Sequence, residues 1–523
     1  MNTKRVSILL ASFSPLAFAT SALAQQNQSV AQTPQAQEQS ETPNEQTIVV
    51  TGTRRSDRTV ADSPVPVDVI GSEAINHTGQ TETNRILNQL VPSFNFPQPS
   101  IADGSDTLRP ATLRGLSPDQ TLVLVNGKRR HVSALLNING TVGRGSAAVD
   151  LNLIPGLAIS RVEVLRDGAA AQYGSDAIAG VINIQLKSAS DGGRASMTFG
   201  QYYTQVDDVA RVTGLQLNAS GQPQLDPTDP RYLLANTDGE RKVTDGTQAT
   251  VGINLGLPLG PNGFANLTGE FRKRDATNRA GYDLRPNFIR PTAAFDPREV
   301  GFNRLQFRFG DPESRDLNLL LNAGLEFTPG WEGYTFASYG RRKAESAANF
   351  RQQSAAANRD FSVLLPNQTP NAQNFVPLTD IGFLPLIETN LKDYAATVGV
   401  RGDVAGWGAD FSAGRGHNRF DYDVHDTLNT SFGPDSQSDF DAGGLRYGQW
   451  IFNADFSNQF AVGFAKPLSV AVGAEHRRER FKIRPGELQS YAIGPFFRAA
   501  VTTTAADCTT QQGVFTPSAT DAA

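Results

Sequence analysis

The sequence predicts an α+β segment followed by an antiparallel transmembrane β-barrel, and three observations carry that expectation. Beyond Gly192, segments alternate apolar and other residues strictly, as in Val251-Gly252-Ile253-Asn254-Leu255-Gly256-Leu257-Pro258-Leu259. A period of two turns one set of side chains toward lipid and the other toward a lumen. The breaks between such segments are alternately short (Gly260-Pro261-Asn262-Gly263, Thr328-Pro329-Gly330-Trp331, Ala405-Gly406-Trp407-Gly408, Ala465-Lys466-Pro467) and long and polar (275–316, 344–392). The N-terminal stretch reads as an export signal: Lys4 and Arg5, a mostly apolar run from Val6 to Ala19, and Ala22-Leu23-Ala24 as a cleavage site before Gln25. Alternation alone would also suit a soluble β-sandwich; the loop asymmetry and the signal argue against it.

Composition narrows the function classes. The 523 residues carry 47 basic and 52 acidic side chains, so the balance of −5 opposes a dedicated nucleic-acid binder, which needs a basic stripe. The single Cys508 rules out an intramolecular disulfide framework and a cysteine zinc cluster. Two Met against 30 Phe and 48 Gly fit turns and aromatic strands better than helical packing.

Residues 1–24 are thus expected to be a signal peptide. Residues 25–46, mostly Gln, Ser, Thr, Pro, Asn and Glu, cannot bury enough surface to offset their ordering entropy and read as a flexible periplasmic tether. Thr47-Ile48-Val49-Val50-Thr51 is β-branched throughout and ends at Gly52. So short a strand suits addition to the exposed edge of a partner's sheet, with a first strand of the next domain as the alternative. Residues 59–187 read as a compact domain. Pro64–Ile70 is extended, and Ile86, Leu87 and Leu90 give Thr81–Leu90 a helical stripe. Thr121–Val125 is a buried strand turned by Asn126-Gly127, with Lys128-Arg129-Arg130 following. Ile154-Pro155 opens a helical turn before the strand Ile159–Leu165.

The run RVEVLRDGAAAQYGSDAIAGVINI, preceded by LRGLSPDQTLVLVNGKR, closely resembles the plug domain of TonB-dependent outer-membrane receptors. TIVVT resembles their TonB box. The resemblance implies an α+β plug domain inside an antiparallel transmembrane β-barrel, with residues 47–52 as the TonB box and Thr47, Ile48, Val49, Val50 and Thr51 binding TonB. Residues 192–523 would form the N-terminal part of that barrel, about nine of about 22 strands. About 13 further strands would need on the order of 400 to 450 more residues, so the sequence reads as the N-terminal portion of a longer receptor. The resemblance also places plug arginines against lumen-facing glutamates. Arg114 in LRG and Arg166 in VLRD match those positions, although Asp167 stands before Gly168 where the family usually has Gly. Glu475 alternates in phase with Ser469, Ala471 and Gly473, hence on the lumen face, and is the expected partner.

Other clusters carry less. His417 and His425 flank Asp421, Asp423 and Asp426, but the aspartates alternate with Phe420, Tyr422 and Val424 and are expected to face the lumen. Asp435, Asp439 and Asp441 lack the full loop of an EF-hand. No nucleophile elbow, P-loop or paired-His helix is present, so neither enzyme chemistry, a cofactor nor a resident metal is expected. By resemblance the chain imports an extracellular small molecule, with a ferric siderophore or similar metal chelate as the leading class and carbohydrate or cobalamin as alternatives. Its partners would be TonB, ExbB and ExbD indirectly, and outer-membrane lipid, with no nucleic acid. A receptor that signals or adheres, or a porin-like channel, is the rival reading.

Overall fold

The structure, a computed structural model, describes residues 51, 66–138, 142–166, 173–290, 292–363, 375–463 and 467–496. The expected signal peptide, tether, Thr47–Val50, Asp167 and Cys508 lie outside them.

Seven strands belong to the α+β domain: β1 Val67–Gly71, β2 Phe94–Asn95, β3 Thr112–Leu113, β4 Thr121–Val125, β5 Lys128–Arg129, β6 Ile159–Leu165 and β7 Gly180–Leu186. Five of them form a mixed sheet in the order β1-β6-β7-β4-β5, with β4 and β7 parallel. Both faces are covered, which explains the near-continuous apolar run of β4. Val123 and Val125 join a core with Ile75 of α1 (Ser72–His77) and Ile86 and Leu87 of α2 (Thr83–Leu90); Leu122 and Leu124 pack on the other side with Val67 and Leu165. Asn126 and Gly127, both at positive φ, make the tight turn that returns the chain into β5. A four-residue helix, α3 (Ser105–Leu108), ends at Arg109.

The remaining large sheet is a nine-stranded antiparallel meander among the described residues. Its strands are β8 Gly193–Leu215, β9 Ala235–Pro258, β10 Gly263–Arg274, β11 Glu313–Thr328, β12 Trp331–Ala347, β15 Leu386–Val404, β16 Trp407–His425, β17 Phe440–Phe460 and β18 Leu468–Arg484. Two short strands, β13 Arg351–Gln352 and β14 Gly382–Phe383, pair within the long connection between β12 and β15. Strands β8 and β18 are the free edges, so the sheet is open. Short connections at one end (259–262, 329–330, 405–406) alternate with long ones at the other (216–234, 275–312, 348–385, 426–439).

The polarity of this sheet is inverted relative to a soluble domain. In β11, Asn318 is 0% exposed against the α+β domain while Leu319 is 47% exposed on the outside. Ile253, Leu255, Leu257, Leu267 and Val398 are likewise exposed, whereas Asn254, Asn266, Thr268 and Asp393 are buried. An apolar exterior around a polar interior is what a bilayer requires of a barrel wall. No described helix is long and apolar enough to cross a membrane.

The expected phase of β16 is corrected by the structure. Phe420 and Tyr422 face the α+β domain, where Phe420 packs with Leu108 and Leu135 and the Tyr422 hydroxyl donates to the Asp103 carbonyl at 3.1 Å. Gly104 makes room for that ring, since a Cβ there would lie 2.8 Å from the hydroxyl. Asp421 and Asp423 consequently point outward, Asp421 onto Arg419 and Arg446. Two aromatic side chains thus take the interior positions that the alternation had assigned to carboxylates.

The inverted polarity predicts that Leu267→Lys, a charge on the outer face, destabilises the protein by about 2–4 kcal/mol in urea titrations of lipid-reconstituted material. Leu267→Met should be near neutral in the same assay.

Candidate functional site

The α+β domain is fastened to the inner face of the large sheet by three groups of charges. Each arises where a turn or a helix end of the domain meets polar inward positions of the strands.

The first group lies toward the long connections. Glu82 precedes α2 and Arg85 occupies its first turn, while Arg109, at φ +59°, closes α3. Glu82 receives Arg274 of β10 at 2.6 Å and Arg85 at 2.6 Å. Asp311, in the connection before β11, receives Arg85 at 2.7 Å and Arg109 at 2.6 Å. Burial alone would raise the Glu82 carboxyl, but the guanidinium groups of Arg274, Arg272, Arg109 and Arg85 hold it well below the usual carboxylate range. Below this group, Arg342 of β12 bridges Asp150 of the domain at 2.7 Å and Asp316 of β11 at 2.5 Å. Arg272 of β10 also reaches Asp316, at 3.3 Å, and donates to the Thr81 carbonyl at 3.2 Å.

The second group centres on Asp393 of β15. Arg130 meets one carboxylate oxygen at 2.5 Å; His131 Nε2 and the Asn418 amide meet the other, each at 2.8 Å. Arg130 also donates to Ser338 of β12 at 2.8 Å, and Asn418 of β16 accepts from the Ala134 amide at 2.8 Å. His131 is fully enclosed, and burial pushes its imidazole below its ordinary range against the pull of Asp393.

The third group lies toward the short connections. Lys128 contacts Asp410 of β16 at 3.1 Å and Asp455 of β17 at 3.5 Å. Arg129 contacts Asp176 at 2.5 Å and lies 3.9 Å from Glu475 of β18; Arg477 of β18 reaches Asp176 at 3.1 Å. A cleft of about 1020 Å³ opens beside Lys128, Asp410 and Asp455.

Of the residues expected from sequence, Glu475 faces the domain and is approached by Arg129, not by Arg114 or Arg166. Arg166 pairs with Asp68 of β1 at 2.9 Å, inside the α+β domain. Arg114, at φ +57°, sits in an exposed turn whose amide donates to the Ser93 carbonyl at 2.7 Å. Thr51 lies against the domain sheet. Its amide and hydroxyl donate to Glu163 at 2.9 and 2.5 Å, and Asn183 donates to its hydroxyl at 3.0 Å. The main interdomain cations, Lys128, Arg129, Arg130 and Arg109, were missed as contacts. The run Lys128–Arg130, directly after a tight Asn-Gly turn, was the available signal.

Comparison with known proteins gives this assembly its class. Residues 59–181 match the family model described as TonB-dependent Receptor Plug Domain. The chain is 28% identical over 224 residues to the "Ferric enterobactin receptor PirA" of Pseudomonas aeruginosa, covering 43% of this chain and 29% of that protein. It is 31% identical over 246 residues to the "Ferrienterobactin receptor" of Escherichia coli, covering 44% and 31%. It is 32% identical over 181 residues to the "Vitamin B12 transporter BtuB" of Vibrio cholerae, covering 34% and 26%. These matches span less than a third of each relative's length, as the shares of 29%, 31% and 26% show. Residues 59–181 are thus a TonB-dependent receptor plug domain, and the nine-stranded sheet with its apolar exterior is the wall against which this plug is seated.

Two expectations follow for the interface. Asp393→Ala strands Arg130 without its carboxylate and should cost about 3–5 kcal/mol locally, read as faster hydrogen exchange of the 128–135 segment. The second concerns pH. Because the folded Glu82 carboxyl lies below its unfolded value of about 4.3, its contribution is complete above that pH. It is lost as pH falls through the folded value. Acidification below about pH 4 should therefore loosen the plug, and Glu82→Gln should flatten that part of the exchange-versus-pH curve.

Proposed function

We propose that the protein is an energy-coupled import receptor that admits a scarce extracellular ligand through the outer membrane. The observation that carries this reading is the plug seated on a membrane-type wall by separable ion pairs. A fixed obstruction could have been packed with apolar side chains at no loss of stability. A plug held by charges can be released by groups that compete for them.

In this reading residues 1–24 direct export and are removed, 25–46 span periplasm, and 47–52 form the TonB box. The hydrogen bonds of Thr51 to Glu163 and Asn183 support it, because they join the end of that segment to the middle of the plug sheet. TonB, driven by ExbB and ExbD, would pull on Thr47–Thr51 by strand addition and transmit force through β6 and β7 to the interface charges. The ligand class favoured is a ferric siderophore or similar metal chelate, supported by the printed names of two of the relatives. Cobalamin is the second reading, supported by the third. No covalent chemistry is assigned to the protein.

Deleting Thr47–Thr51 should abolish uptake of labelled ligand by whole cells while leaving binding to the cell surface intact. Retained uptake would sink the coupling reading, and an open-channel conductance in planar bilayers would favour a porin.

A further inference from the structure

The outward face of the large sheet carries a row of cations in cross-strand register. Arg341 of β12 lies opposite Lys392 of β15, Lys392 opposite Arg419 of β16, Arg419 opposite Arg446 of β17, and Arg446 opposite Lys482 of β18. Five consecutive neighbours of one sign are unfavourable in a sheet unless something neutralises them, because like charges directly opposite repel.

The protein neutralises only part of this row. Arg419 and Arg446 share the single carboxylate of Asp421, which Arg484 also approaches at 3.5 Å. One register step higher, the cations are paired: Lys273 with Asp275 at 3.1 Å, Arg315 with Glu313 at 3.4 Å and Lys343 with Glu388 at 2.7 Å. Arg341, Lys392 and Lys482 are exposed and have no carboxylate partner among the described residues.

The height of the row is informative. Arg341 stands ten residues along β12 from Trp331 at the short turn. At about 3.3 Å per residue and a tilt of ~35–45°, that is roughly 23–27 Å, the height of the apolar band of a barrel. Aromatic side chains mark the same boundary one to three register steps below. The rings of Tyr394 and His417 lie 5.1 Å apart, and those of Trp450 and Phe452 stack at 6.2 Å. The cations therefore stand where the apolar wall ends and lipid headgroups begin, on the side of the long connections.

We propose that Arg341, Lys392, Arg419, Arg446 and Lys482 form a binding belt for the phosphate groups of outer-leaflet lipid. The lipid supplies the anions that the protein withholds from this one row. Long cationic side chains above an apolar wall can lay their stems on it and present their heads to phosphate. The proposal rests on the outer-membrane placement of the chain, which membrane fractionation tests on its own.

The test uses the protein as produced in its own outer membrane, extracted in detergent and titrated with bisphosphorylated lipid A by native mass spectrometry. The triple variant Arg341→Gln, Lys392→Gln, Lys482→Gln should bind on the order of 100-fold more weakly, from about fivefold per basic residue near an anionic lipid surface. Lipid A stripped of both phosphates should not distinguish the two proteins. The charge-preserving variant Arg341→Lys, Lys392→Arg, Lys482→Arg, with the same face and charge, should bind like the wild type. Equal binding by the wild type and the glutamine variant would overturn the proposal, as would loss of binding in the charge-preserving variant. Displacement of lipid A by millimolar inorganic phosphate would also overturn it, by showing a site for free anions.

Discussion

A charge inside a membrane protein must find its opposite, and that requirement organises this molecule. Arg342 touches Asp150 of the plug and Asp316 of its neighbouring strand; Asp393 gathers Arg130, His131 and Asn418; Glu82 sits among four arginines. Removing water from such groups costs several kcal/mol per ion, so each one dictates where its partner stands. The plug is consequently registered against the wall by polar contacts at three levels. Apolar contacts such as Leu320 and Phe336 against the plug core fill the space between them.

This arrangement fixes orientation as well as contact. Apolar packing is indifferent to direction, whereas a network of ion pairs holds one orientation and loses most of its worth once a partner is displaced. The segment Lys128–His131 shows how economically it is built. Four successive residues after one turn reach β16 and β17, β18, β12 and β15. A hairpin tip with alternating side-chain directions fans out to strands that lie far apart in sequence.

The outer surface obeys the same rule with a different solvent. Where the wall meets hydrocarbon, Ile253, Leu255 and Leu267 are bare. Where it meets headgroups, aromatic rings give way to cations, and above those come carboxylates that pair with the next row. The wall thus reads as a vertical sequence of environments, each matched by side-chain chemistry.

The barrel class was legible because a period of two is a property of the strand itself, as in Leu317 to Phe327, and the α+β domain was legible from β4, β6 and their turn residues. Within each strand, local pattern left the phase open where both sets of side chains are mixed. Phe420 and Tyr422 looked outward by hydropathy, yet they face a plug surface whose Leu108, Leu135 and Gly104 accept aromatic rings. Ion-pair partners were equally invisible, because Arg130 and Asp393 are 263 positions apart and only the docking of plug on wall brings them together. Arg166 and Asp68 pair because β1 lies antiparallel to β6, a choice made by sheet order and not by either segment alone. Strand period, turn chemistry and polarity are local and belong to the sequence. The choice of partner for each buried charge depends on distance in space, and only the tertiary structure decides it.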